Sequence, residues 1–571
     1  MTAAERARNR AGGRLLRQAV AGQRRLVAVG AVLAVGHQAG EALVPVLIGT
    51  IVDEAVATGS GAALIRWLLV LAVVFAGLSA CYRFAARAGE RAAEQAAHDL
   101  RRRLARRVVA PAGGAETGRL PGELVNVASA DAARVGAVNM AVTAGAAAFA
   151  ALATTAVVLL QMSVPLGLVV LLGAPPVLLL AQVLGRPLQR RSETEQENAG
   201  HAAGVAADLV AGIRVLKGIG AEGTALARYR RISRSSLRAT IRAADAQAGH
   251  DGALVAVSGV FIAAVALVGA RLALRGDITV GDLIAAVGLA LFLLGPLSIV
   301  TWVNGQLAQA RGSAVRVAEV LDAPPAVPPA TREPDRPVRG ELVLQDVADG
   351  PLRVPRLRIA PGEFVGVVAL DPAAGTALVR ALAREADPAA GTVRLDDRPL
   401  TELEPAAVRA VIGTAQHDSV LFDDTVRDTV AGPGEAPADR VRLTAVLAGT
   451  TVDELVRTLP DGLDTRVGDR GRALSGGQRQ RLVLARALAA EPPVLVLHDP
   501  TTAVDAVTEA HIADRLRALR AGRTTVLVTT SPALLAVADR VVVLSGDADP
   551  VTGTHAALVR DDARYAAAVL A

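Results

Sequence analysis

Residues 474–505, LSGGQRQRLVLARALAAEPPVLVLHDPTTAVD, decide how the C-terminal half of this chain is read. A turn of small residues, Ser475-Gly476-Gly477-Gln478, opens an amphipathic stretch that predicts a helix. Such a helix N-terminus, with a serine hydroxyl beside it, is suited to hold an anion. The stretch then runs into the apolar strand Val494–Leu497, which ends in polar residues. Further strand-like runs alternate with helical patterns after residue 340, which points to an α/β domain with a largely parallel sheet.

Upstream, PGEFVGVVALDPAAGTALVRALAREADPAAG (361–391) has the outline of a phosphate-binding strand–loop–helix. An apolar strand, Phe364 to Val368, leads into a loop of small residues and then a helix with Leu378, Val379 and Leu382 on its apolar face. A working loop of this kind reads G-x-x-x-x-G-K-S/T. Its glycines let backbone N–H groups approach phosphate, its lysine reaches the β/γ-phosphates and its hydroxyl holds Mg²⁺. Here Ala369 and Ala374 stand at the two glycines, Gly375 at the lysine and Thr376 at the hydroxyl, followed by Ala377. The chain's single lysine, Lys217, lies elsewhere. The scaffold keeps its length while its charge is gone. Backbone N–H groups and a helix dipole from Asp371 onward remain, and with them an expectation of some residual phosphate affinity.

Composition places these motifs on a membrane protein. Of the 571 residues, 52% are hydrophobic but only 2% aromatic, so the apolar character comes from Ala, Val and Leu. Six apolar stretches, near 26–50, 64–86, 136–160, 164–186, 250–274 and 280–303, each reach the roughly 20 residues a bilayer crossing takes. The joins near 57–63 and 160–163 are short and uncharged. Those from 87 to 135 and from 187 to 249 are long, helical in pattern and rich in arginine, which predicts two helical hairpins continuing well past the membrane on its cytoplasmic side. Arg271 and Arg275 fall on the outer side and run against that tendency. The Arg-rich N-terminus has no cleavable apolar core and reads as a retained cytoplasmic arm. A net charge of +6 over this length, without interleaved basic and aromatic residues, excludes nucleic acid as the partner. A lone cysteine, Cys81, excludes an intrachain disulfide. In the first span His37 and Glu41 share a helix face, and ionisable groups at membrane depth are candidates for the substrate pathway.

With these pieces together the chain resembles the ABC transporters, over nearly its whole length. Leu474-Ser475-Gly476-Gly477-Gln478 matches the family's signature motif, Gln416 its Q-loop glutamine, TRVGDRG (465–471) the segment before the signature and Asp505 the end of its D-loop. GELVNVASADAARVGA (122–137) and VAGIRVLKGIGAE (210–222) look like the two intracellular regions of the six-helix exporter fold. The resemblance implies an α-helical six-span exporter domain over 1–320, a Pro-rich linker over 321–340 and a P-loop-type α/β nucleotide-binding domain over 341–571. It implies ATP and Mg²⁺ as cofactors, helical turns near 113–120 and 204–212 that touch ATPase domains, and a multi-pass protein of the bacterial inner membrane with both termini cytoplasmic.

The departures from the family pattern are concentrated. His498 stands at the Walker B aspartate and Asp499 at the catalytic glutamate. An imidazole is a poor neighbour for Mg²⁺, which prefers hard oxygen ligands, and aspartate is a methylene shorter than glutamate. Thr530 stands at the switch histidine. Near Ala348 and Asp349 the adenine-stacking aromatic is missing. Together with the degenerate Walker A residues 369 and 374–377, every loss falls on one side of the domain. In this family two ATPase domains pair head to tail, each nucleotide lying between one Walker side and the other signature. The resemblance therefore implies a heterodimer, in which this chain lacks ATP hydrolysis of its own and completes the site of a partner half-transporter with intact Walker motifs. A homodimeric ATPase and a non-transporting regulatory protein are the competing readings. Besides lipids of the membrane, a small-molecule, lipid or peptide substrate is expected.

Overall fold

The computed structural model describes residues 2–334, 337–432, 440–546 and 549–570. They divide into two compact units. Met1–Leu104 with Gly122–Val320 form the first, and Ala105–Pro121 with Leu321–Ala571 the second.

Six helical segments long and apolar enough to cross a membrane make up most of the first unit: Arg24–Val56, Gly61–Val108, Pro121–Met162, Val164–Ala211, Glu222–Leu274 and Val280–Leu321. The six expected spans lie inside them, and the helices run on as the arginine-rich joins predict. At 1.5 Å per residue, the 48-residue helix Gly61–Val108 is about 72 Å long, more than twice a hydrocarbon core. Residues 204–211 complete the helix Val164–Ala211, and Gly212 caps it. Large apolar side chains such as Val73, Phe149 and Leu172 point outward, as they do where the solvent is lipid.

Between the helices the packing is set by small residues and a few polar clamps. A Cβ built on Gly281 would lie 2.2 Å from the Gly49 carbonyl oxygen, so only glycine allows this approach of the first and last helices. The same crossing is fastened by Asp53, which accepts hydrogen bonds from the Gly281 N–H (2.9 Å) and the Thr279 hydroxyl (2.6 Å). Farther along, a π-helical turn at Val127–Asp131 buries Asp131 completely. Its carboxylate receives Nε of Arg316 at 2.7 Å and the Ser313 hydroxyl at 2.8 Å. A buried carboxylate is tolerable only with such partners.

In the second unit, β1 (Leu342–Asp349), β2 (Leu352–Ile359), β4 (Ala390–Leu395) and β5 (Arg398–Pro399) form an antiparallel sheet in the order β2-β1-β4-β5. The main sheet holds β3 (Phe364–Ala369), β6 (Ile412–Gln416), β7 (Val494–His498), β8 (Thr524–Val528), β9 (Arg540–Leu544) and β10 (Val551–Gly553), ordered β10-β9-β3-β8-β7-β6. All pairs but β10–β9 are parallel. Strand alternation explains the layers. Val494 and Val496 pack with Leu378 and Leu382 of the helix Pro372–Leu382 on one face. On the other, Leu495 and Leu497 meet Leu482 and Leu484 of the helix Gly476–Ala489, and Ile512 and Leu516 of the helix Ala506–Leu519. Buried on both sides, these strands read as continuous apolar runs.

The turn at 105–121 packs into this second unit. The Ala326 N–H donates to Ala112 O (2.9 Å), Arg107 reaches Ala323 O (2.7 Å) and Arg409 reaches Pro111 O (2.7 Å). Gly114, at φ +93°, lies against Pro324 so closely that a Cβ would sit 2.1 Å from its carbonyl oxygen. The residue that meets Arg409 of the α/β domain is thus Pro111, just ahead of the expected 113–120, while Gly114 lies against the linker at Pro324.

Candidate nucleotide site

Parallel pairing gathers the chemistry at one sheet edge. Gln416, His498 and Val528 are register neighbours on β6, β7 and β8, and Val528 pairs with Val367 of β3. Gln416, His498, Asp499, Thr530 and Ala369 thus emerge together at the carboxyl ends of the strands, where open α/β sheets place their ligands. At that edge Thr530 is exposed, and its neighbour Thr529 instead ties the strands through an N–H to Val367 O bond of 3.1 Å.

The loop after β3 differs from the open cradle that its length suggests. Asp371 caps the helix Pro372–Leu382: its Oδ1 accepts from the Ala373 N–H at 2.8 Å. The Asp371 carbonyl accepts from the N–H groups of Ala374 (3.0 Å) and Gly375 (3.4 Å). Pro372, first in the helix, has no N–H to offer. Thr376 donates its hydroxyl to Pro372 O at 3.2 Å, and Ala374 and Ala377 are buried in the helix packing. Of the N–H groups expected to survive for phosphate, those of Ala373, Ala374 and Gly375 are already bonded within the chain. Aspartate followed by proline is a helix-start pattern, so this closure was legible in Asp371-Pro372.

Across from the loop stands His498, 7% exposed. A Cβ on Gly375 would lie 3.8 Å from its Nε2, so the imidazole borders the place where the family's lysine begins. Its Nδ1 is buried without a hydrogen-bond partner among the described residues, and its ring meets that of His417 edge-on at 5.6 Å. Burial pushes the imidazole below the usual histidine range, against the pull of Asp499, whose Oδ2 is 3.8 Å away. Its burial thus favours the uncharged imidazole. Asp499 adopts φ +46°, a left-handed conformation that aspartate tolerates, with its N–H on Val528 O at 2.9 Å.

The other helix N-terminus has a different character. Ser475 and Gln478 form a reciprocal capping box, Ser475 Oγ accepting from the Gln478 N–H (3.3 Å) and Gln478 Oε1 from the Ser475 N–H (2.8 Å). The serine hydrogen is left to donate outward, and among the described residues no acceptor pairs with the N–H groups of Gly476 and Gly477. Leu474 is buried beneath the turn. Behind it, Gln480 ties the helix to the segment after β7: its Nε2 donates to Thr502 Oγ1 and its Oε1 accepts from the Ala503 N–H, both at 2.7 Å. A Cβ on Gly477 would lie 2.6 Å from Ala503 O, so glycine permits this seat. Asp505 caps the next helix through the Thr508 N–H at 3.0 Å, a bond that lowers its carboxyl pKa. Gln480 was missed in the sequence because a glutamine among arginines on a helix carries no local sign of its partner.

In the membrane unit the two ionisable candidates are paired with each other. His37 Nδ1 is 3.1 Å from Leu78 O and its Nε2 is 3.6 Å from Glu41 Oε2, which also accepts from Gln38 Nε2 at 2.8 Å. His37 lines a cavity of about 280 Å³ with Tyr82, Met140, Thr143 and Trp302; Glu41 is outside that lining.

A six-span helical unit joined to an α/β domain with an anion-ready turn defines an ATP-driven transporter. Residues 27–297 match the ABC transporter transmembrane region, and residues 352–502 match the ABC transporter domain. The chain is 32% identical over 413 residues to an ATP-dependent lipid A-core flippase of Thiobacillus denitrificans, a match covering 70% of each protein. To a multidrug efflux ATP-binding/permease protein of Mycobacterium bovis it is 36% identical over 395 residues, 68% of this chain and 33% of the longer relative. Its fold matches a solved bacterial Atm1-family ABC exporter with ATP bound, at a TM-score of 0.76 and 23% identity, over 97% of this chain and 99% of that one. The chain belongs to the ABC transporters. It is a multi-pass membrane protein with the exporter architecture.

The family implies Mg²⁺–ATP, and the residues at 369–377 do not fit it. The N–H groups of Ala373, Ala374 and Gly375 are spent, the Thr376 hydroxyl is turned onto Pro372, and the imidazole facing the loop has no hard oxygen for the metal.

Proposed function

We propose that this chain is the non-hydrolysing half of a heterodimeric ABC exporter in a bacterial inner membrane. It completes a partner's ATP site with Leu474–Gln478 and forms half of the translocation pathway with its six spans. The observation that carries this reading is the open N-terminus at Ser475–Gly477 in a domain whose own Walker side lacks its lysine and its aspartate and has the N–H groups of Ala373, Ala374 and Gly375 already bonded. The partner's Walker motifs would hold the ATP and Mg²⁺, and bound ATP would supply the free energy that favours one access state. Toward that nucleotide this chain offers the Ser475 hydroxyl and two glycine N–H groups, with Gln480 holding the D-loop segment 502–505 beside them. The names of the relatives, lipid A-core flippase and multidrug efflux protein, favour an amphipathic small molecule or lipid as substrate. The cavity with His37, Tyr82 and Trp302 is the candidate place for it.

The test is phosphate release in nanodiscs. Purified alone, the chain is expected to hydrolyse no ATP above background, and the pair with its partner to do so. Robust hydrolysis by the chain alone would establish the homodimeric ATPase instead. Unchanged turnover of the pair after Ser475→Arg would favour a regulatory subunit.

A further inference from the structure

We propose that Asp371 permanently closes this chain's own Walker side, its carboxylate standing where a nucleotide phosphate would stand, so that the working transporter carries a single ATP. The inference rests on the heterodimer reading and goes beyond it. A chain that merely lost its catalytic residues would still hold nucleotide, whereas this geometry leaves one backbone N–H, that of Asp371, and sets a carboxylate beside it.

The argument is an inventory of donors. The first N–H groups of a helix have no partner inside it, and anion sites at helix ends are built from them. In the helix Pro372–Leu382, Pro372 contributes none, Ala373 is taken by the Asp371 carboxylate, and Ala374 and Gly375 are taken by the Asp371 carbonyl. The preceding residue, Leu370, spends its N–H on Leu544 O at 3.0 Å. An incoming phosphate would have to displace a carboxylate that already enjoys the positive end of the helix dipole, and it would meet like charge while doing so. The lysine that would offset that repulsion is missing. Position 375 has no side chain, and the imidazole beyond it is buried with an unpartnered Nδ1. The Thr376 hydroxyl is directed to Pro372 O. A negative charge built into the cradle thus does what a bound phosphate would do for the helix, and excludes the phosphate.

Equilibrium binding of MANT-ATP to the purified full chain in nanodiscs tests this, with unlabelled ATP as competitor and with Mg²⁺ or EDTA. The chain alone has no second Walker side, so any competable binding belongs to its own. Wild type is expected to show none up to millimolar nucleotide. Asp371→Ser, which keeps a cap and removes the charge, is expected to gain about tenfold in affinity. Asp371→Ser combined with Pro372→Gly and Gly375→Lys is expected to bind saturably, at least 100-fold more tightly than wild type. Competable micromolar binding by wild type would overturn the proposal, as would a folded triple variant that binds no better than wild type; the melting temperature of each variant establishes that it is folded. Phosphate release measured on the same samples separates the two readings. Binding without hydrolysis would overturn the closure and leave the heterodimer standing, and hydrolysis would overturn both.

Discussion

Two helices of one domain begin within the same nucleotide-binding architecture and end up chemically opposite. The helix Pro372–Leu382 is capped by a carboxylate, starts with a residue that has no N–H and consumes its remaining donors internally. The helix Gly476–Ala489 is capped by a neutral serine, starts with two glycines and leaves their N–H groups facing outward. Both caps stabilise their helices by similar amounts, so helix stability does not account for the difference. What differs is charge and vacancy: one end is electrostatically complete, the other is complete only when an anion arrives. A domain built this way donates to a nucleotide site without owning one.

Several substitutions would break or sharpen that contrast. The largest effect is expected at the open end. Ser475→Arg fills the turn with a bulky side chain and should lower ATP turnover of the assembled pair at least 100-fold, a loss of about 2.7 kcal/mol in transition-state stabilisation. Asp371→Ser in the same assay should leave turnover within about twofold, since the closed end takes no part; a comparable loss there would erase the distinction. Next in size is the tether behind the open end. Gln480→Ala removes two hydrogen bonds from Thr502 and Ala503, and chemical denaturation should report a loss of about 1–3 kcal/mol. Smaller still are the caps themselves. Ser475→Ala and Asp371→Ala should each lower stability by about 1 kcal/mol, while Asp371→Asn should stay within a few tenths because asparagine caps as well.

The smallest expected effect is a pH dependence at His498. Burial holds the folded imidazole below the ordinary value of 6.5, so on acidification the unfolded chain takes up its proton first. Stability should therefore fall as pH drops below about 6.5 toward the lower folded value, and be independent of this residue above that range. His498→Asn should flatten that slope when melting temperature is followed from pH 7.5 to pH 5. An unchanged slope would mean that the imidazole is already solvated.

How far these features could be read in advance depends on how local they are. The six spans needed only runs of apolar residues, and their extension beyond the membrane followed from arginine on a continued helical period. The turn at Leu474–Gln478 declared itself through small residues ahead of an amphipathic helix. The closed loop was half legible. The missing lysine at Gly375 was plain, but the cradle was expected to keep its N–H groups, and the Asp371-Pro372 helix start shows why those of residues 373–375 are bonded instead. His37 and Glu41 sit one helical turn apart, a spacing that allows the pairing found between them. Nothing in the sequence announced that Tyr82 and Trp302 border the same cavity.

Sequence alone determined the membrane spans, the α/β domain and the one-sided loss of charged residues, because hydrophobic periodicity and side-chain chemistry are properties of short segments. Only tertiary structure decided that burial disfavours the charged form of His498, since its surroundings come from β7, the residue after β6 and the helix after β3, and burial is a sum over all of them. It likewise decided that Asp131 finds Arg316, 185 residues away, and that Gln480 holds Thr502 and Ala503. Buried polar groups must find partners wherever the fold brings them, and sequence distance carries no record of that search.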